Sequence, residues 1–150
     1  MEIVTFTGAD EPAAEDAIAA FERDLGRRLP AAFRAFLSGQ NGGQPSPNQL
    51  RLRGPDRIER AVTVTRLFGL CPFDPPSDLR ERYRAAGGTL PGAVLPIGEC
   101  ADGALLLLGL ERKREGWRGV YYWGAGWWPI RVIGNFDKFI PLLASGAGRG

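Results

Sequence analysis

Histidine is absent from this 150-residue chain. Because histidine is the usual general base near neutral pH and the commonest nitrogen ligand of metals, its absence excludes Ser-His-Asp and Cys-His catalytic sites. A pair of carboxylates is the remaining route to hydrolysis, with Asp74, Glu99 and Asp102 as the acids to consider. Asp102 is better explained by the tight turn that it forms with Gly103. We therefore predict a non-enzymatic binding protein with no catalytic residue, no metal and no cofactor.

Cysteine and long hydrophobic runs are also scarce. The two cysteines, Cys71 and Cys100, are expected to be reduced thiols, because the start of the chain shows no secretion signal. The longest apolar run, residues 104–110, is interrupted by Gly109 and is far shorter than the roughly 20 residues that a membrane helix needs. We expect a cytoplasmic protein that does not bind a membrane.

The composition favours one globular domain over residues 1–150, with a loose tail at 146–150. Hydrophobic residues make up 44% of the chain, which is enough for a core without support from a disulfide or a metal. The net charge of +2 is too small to predict nucleic-acid binding. We expect a monomer that binds no nucleic acid.

Four helices follow from the hydrophobic spacing and from residues that start or end helices. In the first helix, Ala14, Ile18 and Phe21 share one face. Pro141 is awkward in the last helix, because proline removes a helical hydrogen bond. The predicted helices begin and end near Asp10 or Glu11 and Gly26, Pro30 and Gly39, Ser77 and Gly87, and Asn135 and Leu143.

The predicted strands lie mostly in the second half of the chain. Four consecutive leucines at 105–108 indicate a central strand that is covered on both faces. Residues 44–49, which include two prolines, are expected to form a loop. The predicted strands are residues 2–6, 50–53, 58–68, 94–97, 104–110, 120–123 and 129–133. Together with the helices, they predict an α+β fold with antiparallel strands.

Three stretches of the chain resemble the SUKH superfamily, and they follow one another in that family's order. Residues 18–43, IAAFERDLGRRLPAAFRAFLSGQNGG, resemble its opening, which pairs an FE..LG..LP segment with an FL...NGG segment. Residues 90–110, LPGAVLPIGECADGALLLLGL, are similar to its LP…PIG strand pair. Residues 120–123 and 135–143 are similar to its V.yW strand and its closing F..FL..L helix.

This resemblance implies a SUKH-like fold, in which a twisted, mainly antiparallel sheet is flanked by about four helices. It implies a bacterial immunity protein that binds a cognate polymorphic toxin domain and occludes its active site or substrate groove. Because the superfamily includes fungal cell-wall synthesis regulators, the alternative is a non-catalytic scaffold or adaptor for a housekeeping protein. The superfamily has no shared catalytic residues to carry over. Two residues depart from its pattern, Pro141 in the closing helix and Ala104 at a frequently polar position.

Six aromatic residues lie within 117–128. Strand alternation predicts that Tyr121 and Tyr122 face opposite sides of the sheet. Trp127 and Trp128 lie in a glycine-rich turn, where at least one of them is expected to be exposed. Because Trp, Tyr and Arg dominate interface hot spots, this turn is a candidate partner-binding site, with core packing as the alternative.

A basic segment is the second candidate partner-binding site. Arg112, Lys113 and Arg114 lie in a predicted hairpin loop, and Arg118 follows shortly after it. These side chains can grip an acidic toxin surface, although a run of charges is also typical of a solvated hairpin end.

An acidic segment is the third candidate. Glu11, Glu15 and Asp16, at the start of the first predicted helix, are the candidate contact residues of an acidic helix that also carries Glu22 and Asp24. These acids can mimic nucleic acid and steer the chain towards a basic toxin active site. The alternative is a solvated helix face, since acids are favoured by the positive end of the helix dipole.

Overall fold

The computed structural model describes residues 4–112, 116–124, 126 and 128–145, so the predicted tail at 146–150 and residues 2–3 lie outside the described part. Helices α1 to α4 are Glu15–Leu25, Ala31–Gly39, Leu79–Ala86 and Phe139–Ser145. Turns of 3₁₀ helix are Pro75–Ser77, Gly87–Thr89 and Phe136–Lys138. Strands β1 to β8 are Thr5–Thr7, Gln44–Ser46, Gln49–Arg53, Glu59–Leu67, Val94–Cys100, Leu105–Leu110, Arg118–Trp123 and Ile130–Ile133. None of the helices in these described ranges is long and apolar enough to cross a membrane.

Strands β3 to β8 form a six-stranded antiparallel sheet in which every strand pairs with the next one along the chain. Most of these neighbours are joined by short connections, as antiparallel pairing allows, but α3 lies between β4 and β5. The ladder is shifted by bulges between Val64 and Arg66 on β4 and between Pro96 and Gly98 on β5. The α+β class and the mainly antiparallel sheet are therefore confirmed.

The loop predicted at 44–49 is wrong. Strand β2 begins at Gln44 and pairs with β1, with Phe6 opposite Pro45, while Gln49 begins β3. Proline is tolerated in β2 because each strand of a two-stranded sheet is an edge strand, where a missing N–H need not break a ladder bond. Strands β1 and β2 have three residues each and are distant in the chain, so they show no periodic hydrophobic pattern. The prolines alone therefore led to the prediction of a loop.

The first helix begins later than predicted. Its N-cap is Ala14, which supplies no side-chain hydrogen bond, so the predicted caps Asp10 and Glu11 precede the helix. Its end is at Gly26, as predicted, where a φ of 73° suits glycine. The hydrophobic spacing therefore predicted the helix correctly. The acidic residues before it led to a predicted first residue that is too early.

The cap of α3 is Asp78 and not the predicted Ser77. The Asp78 carboxylate accepts a hydrogen bond from the Glu81 N–H at 3.3 Å and another from the Cys71 N–H at 2.9 Å. Ser77 instead accepts from Arg66 at 2.6 Å. Asp78 is buried, so one side chain both starts the helix and fixes the loop before it.

The closing helix accommodates Pro141 because α-helical geometry begins only at Phe139. A 3₁₀ turn precedes it, and Asn135, the predicted cap, makes no side-chain capping bond. Pro141 is therefore the third residue of α4, in the first turn, where an N–H would have no helical partner. A proline at this position predicts either a kink or a late start of the helix, and the late start is observed.

The NGG segment at 41–43 ties the end of α2 to the loop after β4. Asn41, 2% exposed and with a φ of 54°, accepts from the Leu70 N–H at 2.8 Å and donates to the Leu70 carbonyl at 3.2 Å. Gly42 has a φ of 86°, and a Cβ there would lie 2.8 Å from the Gly69 nitrogen. This segment thus has a structural role, because only small residues allow the two loops to approach so closely.

The two faces of the six-stranded sheet are covered differently. The helix-covered face carries the main core, to which the helices contribute Ile18, Phe21, Phe33, Leu37, Leu79, Phe139 and Leu143. The opposite face of the sheet, which we call the open face, carries a smaller cluster centred on Val94, Leu107 and Tyr121. No described helix contributes to this cluster. On β6, Leu106 and Leu108 face the helices while Leu107 lies on the open face. The prediction that this strand is buried on both sides is confirmed.

Candidate partner-binding site

Aromatic side chains cover the open face around β7. We call Trp117, Tyr121, Trp123 and Trp128 the aromatic patch. The ring of Trp117 has its centroid 5.0 Å from that of Tyr121 and 5.9 Å from that of Trp128. Such separations are typical of attractive ring pairs. Tyr122 lies in the main core, so the predicted alternation of Tyr121 and Tyr122 is confirmed.

The patch is held in place by its surroundings. A Cβ at Gly92 would lie 2.1 Å from Nε1 of Trp117, so this glycine makes room for the indole. The Tyr121 hydroxyl accepts a hydrogen bond from the Arg118 N–H at 3.0 Å. The guanidinium of Arg131 lies 5.7 Å from the Tyr121 ring centroid. These contacts fix the rings in the free chain, before any partner binds.

Trp128 is the exposed member of the patch, with 69% of its surface accessible. At least one of Trp127 and Trp128 was expected to be exposed, and Trp128 is. Trp127 lies outside the described residues. An indole that already rests on a neighbouring ring loses little side-chain freedom when it binds. Trp128 therefore has the character of a preorganised interface anchor.

The described basic residues of the β6–β7 hairpin lie on its other side. Arg112 and Arg118 are exposed and line a groove that also contains Arg28, while Lys113 and Arg114 lie outside the described residues. Trp117 and Arg118 are consecutive, so their side chains leave the chain on opposite faces. The same hairpin thus presents an aromatic surface on the open face and a basic surface beside the helices.

The acids predicted at the first helix do not act as one group. Glu11 and Asp16 are exposed, and Glu11 lies before the helix begins. Glu15 accepts a hydrogen bond from Nη2 of Arg34 at 2.6 Å and so connects α1 to α2. Only two of the three predicted acids are therefore free of ion pairs within the described residues.

Glu22 is the buried centre of this network, so its assignment to the acidic surface of the first helix is wrong. Its carboxylate accepts from the Leu29 N–H at 2.7 Å and from Nε of Arg34 at 3.1 Å. Burial alone would raise the pKa of Glu22, but the hydrogen bonds from Arg34 and Leu29 outweigh it and leave the pKa below its ordinary value. The hydrogen bonds that Arg34 donates to Glu15 and Glu22 raise the pKa of Arg34. The sequence signal that indicates the burial of Glu22 is the presence of an acid on the core-facing side of a helix.

Two of the three acids considered for hydrolysis, Glu99 and Asp102, are engaged by other groups. Glu99 binds Nε of Arg66 at 2.8 Å and Nη2 of Arg82 at 2.6 Å. Asp102 accepts a hydrogen bond from the Tyr122 hydroxyl at 2.5 Å. Across the described ranges, no cluster of three or more metal-ligating side chains was found. These contacts are those of structural ion pairs and a capped turn.

Cys71 and Cys100 are buried and are not joined by a disulfide. Burial raises the pKa of Cys71 to about 11 and that of Cys100 to about 12. Thiols with such pKa values stay protonated near neutral pH and are poor nucleophiles. Both residues therefore behave as small apolar side chains.

Phe73 is an exposed apolar residue that the sequence pattern did not identify. It is 98% exposed at the tip of the loop between β4 and α3. The Asp74 N–H donates to the Cys71 carbonyl at 3.0 Å, which closes a turn with Pro72 and Phe73 at its centre. The prolines indicated an irregular segment, but nothing local indicated that the ring would lack a packing partner.

A protein-family model, that of the SMI1 / KNR4 family (SUKH-1), matches residues 12–142. The chain belongs to this family. The SUKH-1 match extends from just before α1 into α4 and includes every strand of the six-stranded sheet. The resemblance inferred from the three sequence stretches is thereby confirmed. A comparison with curated proteins found no match.

Proposed function

We propose that this SUKH-1 protein is a bacterial immunity protein that binds a cognate toxin domain in the cytoplasm of the producing cell. Binding blocks the active site or the substrate groove of the toxin. The mechanism is steric and needs no reaction at the surface of the immunity protein. Family membership supports a role in protein–protein interaction, and the aromatic patch supplies the surface.

The observation that carries this proposal is the exposed indole of Trp128 on the open face of the sheet. The centre of this face is buried, but the Trp128 indole is exposed beside it, and tryptophan is among the residues that dominate binding energy at interfaces. The indole rests on Trp117, which in turn contacts Tyr121, so the anchor is rigid. Rigid aromatic anchors bind tightly because little conformational entropy is lost.

The test is co-expression with toxin domains encoded beside the gene, followed by measurement of the dissociation constant of the purified complex. We expect growth to be rescued and a one-to-one complex to form. Trp128→Ala should weaken binding by a factor of at least about 30, which corresponds to the roughly 2 kcal/mol loss that defines a hot spot.

Ile58→Ala is the matched control, because Ile58 is also an exposed apolar residue, at 56%, but belongs to the β3–β4 turn. It should leave the affinity within about twofold, as expected of residues outside the hot spot. Complex formation without protection of growth would contradict the immunity role and favour the adaptor role. Equal effects of the two substitutions would exclude the aromatic patch as the anchor.

A further inference from the structure

A groove of about 480 Å³ lies beside the helices, where the first turn of α2 meets the β6–β7 hairpin and the 3₁₀ turn before α4. Its volume is within the roughly 300–1,000 Å³ range of ligand-binding pockets. The apolar part of the lining comes from Ala32, Leu108, Leu110 and Phe136. A ligand that fills the groove must therefore bring an apolar group.

Three arginines, Arg28, Arg112 and Arg118, line the same groove. Seven other arginines of the described chain form ion pairs, namely Arg34, Arg51, Arg60, Arg66, Arg80, Arg82 and Arg84. No such pair is found for the three groove arginines within the described residues. Three positive charges around one groove favour an anionic ligand, although Glu22 offsets part of the charge of Arg28.

Two acids also line the groove and reduce its positive charge. Glu111 is already engaged, because its Oε1 accepts a hydrogen bond from the Trp117 N–H at 3.1 Å. Asp137 lies at the other wall, in the 3₁₀ turn. The three arginines still outnumber the two acids, so the groove favours an anion. Asp137 makes one side of it unfavourable for a second carboxylate.

Arginine identifies the kind of anion. Its planar guanidinium binds a carboxylate through two parallel N–H donors, and it tolerates the partial loss of water that binding in a groove requires. Apolar walls beside such donors fit a peptide in which a Leu or Phe side chain adjoins an Asp or Glu. A bare inorganic anion would leave the apolar lining unused.

We propose that this groove binds a segment of the partner protein in which an acidic residue adjoins a large apolar residue. This inference deepens the proposed function, since the partner is the toxin domain, but the binding chemistry can be tested without the toxin. The apolar side chain lies against Leu108, Leu110 and Phe136. The carboxylate pairs with Arg28 and the two hairpin arginines. The groove thus adds charge-dependent selectivity to the apolar anchor on the open face.

Nuclear magnetic resonance titration of the full chain tests the proposal with three probes. They are the blocked peptide acetyl-Gly-Leu-Glu-Phe-Gly-amide, its isosteric neutral version with Gln in place of Glu, and inorganic phosphate. The acidic peptide should shift the amide resonances of Ala31, Gly109 and Gly119 saturably, because these residues line or adjoin the groove. Arg28→Ala and Arg118→Ala should each weaken its binding at least about fivefold, consistent with loss of a charge-assisted hydrogen bond.

Arg53→Ala is the matched control, because Arg53 is an exposed arginine on β3, outside the groove lining. It should leave the affinity unchanged. The proposal is overturned if the neutral peptide or phosphate binds as tightly as the acidic peptide, or if no probe gives a saturable shift at these amides. If the toxin binds and loses affinity with Trp128→Ala but not with Arg28→Ala or Arg118→Ala, the immunity function stands without the groove. If the acidic peptide binds as described and no toxin does, the groove stands without the immunity function.

Discussion

The two faces of the six-stranded sheet differ in which side chains cover them. On the helix-covered face, side chains from four helices fill the space above the strands, so folding alone buries every apolar group of the main core. On the open face, partly buried side chains pack against the buried centre formed by Val94, Leu107 and Tyr121, and no described helix contributes to it. The apolar side chains of the helix-covered face are required for folding. The open face retains apolar surface that a monomer does not need, which is typical of an interaction site.

Leu106 and Leu107 allow the most direct comparison, because they are neighbours on β6, both 0% exposed, and lie on opposite faces. We expect Leu106→Ala to lower the free energy of unfolding by about 4–5 kcal/mol, since the helices above it hold a cavity open. Leu107→Ala should cost about 2–3 kcal/mol, since the side chains on this face are partly exposed and solvent can reach part of the space that is left. Urea denaturation of both variants measures the difference. Equal losses would show that the open face is packed as rigidly as the helix-covered face.

Glu22→Gln should produce the next largest effect. It removes the charge that binds Arg34 while keeping an acceptor for the Leu29 N–H, so we expect a loss of about 1–3 kcal/mol in the free energy of unfolding. Asp16→Asn removes one acid from an exposed position of the same helix and should change stability by no more than about 0.5 kcal/mol. If the two variants unfold at the same urea concentration, the helix pair does not depend on this ion pair.

The same carboxylate predicts an acid sensitivity. Because the pKa of Glu22 is lower in the folded chain than its ordinary 4.5, its ionisation stabilises the fold above pH 4.5. That contribution is lost as the pH falls from 4.5 through the lowered folded pKa. Urea midpoints measured between pH 7 and pH 3 should therefore decline more steeply in the unmodified chain than in Glu22→Gln. Parallel declines would contradict the role assigned to this group.

Gly92→Ala should have a smaller effect, confined to the open face. A Cβ at this position would lie 2.1 Å from the Trp117 indole, so the ring must move and the aromatic patch must rearrange. We expect a loss of about 1 kcal/mol, at the low end for overpacking because the site is partly exposed, together with a shift of the tryptophan fluorescence maximum. Gly88→Ala, where a Cβ meets nothing within 4 Å, should leave the spectrum unchanged. An unshifted spectrum for Gly92→Ala would indicate that Trp117 is not held as described.

Trp128→Ala should have the smallest effect on stability. An indole that is 69% exposed gains little from folding, so we expect a change within about 0.5 kcal/mol. Thermal unfolding followed by circular dichroism measures this change. A large destabilisation would mean that Trp128 belongs to the core of the monomer, and the contrast between the two faces would disappear.

Periodic signals allowed much of the fold to be predicted. The spacing of Ile18 and Phe21 placed α1, the leucine run placed β6, and alternation separated Tyr121 from Tyr122. These features succeed because each depends on neighbours within a few residues. The family motifs then joined the elements into one fold.

Features that depend on distant contacts were not predictable in the same way. Ser77 and Asp78 are equally good helix caps by residue type, and only the buried bond to the Cys71 N–H favours Asp78. The groove joins Arg28 to Arg112 and Arg118, which are far apart in the chain. Phe73 is exposed because the described part of the fold does not cover its ring. A local sequence pattern does not show this.

Cross-saturation transfer from the bound toxin domain to the isotope-labelled chain tests the central claim most directly, because it reports which protons lie at the interface. The account predicts that the indole N–H signals of Trp117 and Trp128 lose intensity when the toxin is saturated, while amides on the exposed side of α1 do not. Transfer confined to α1, with both indoles unaffected, would contradict the claim that the open face binds the partner.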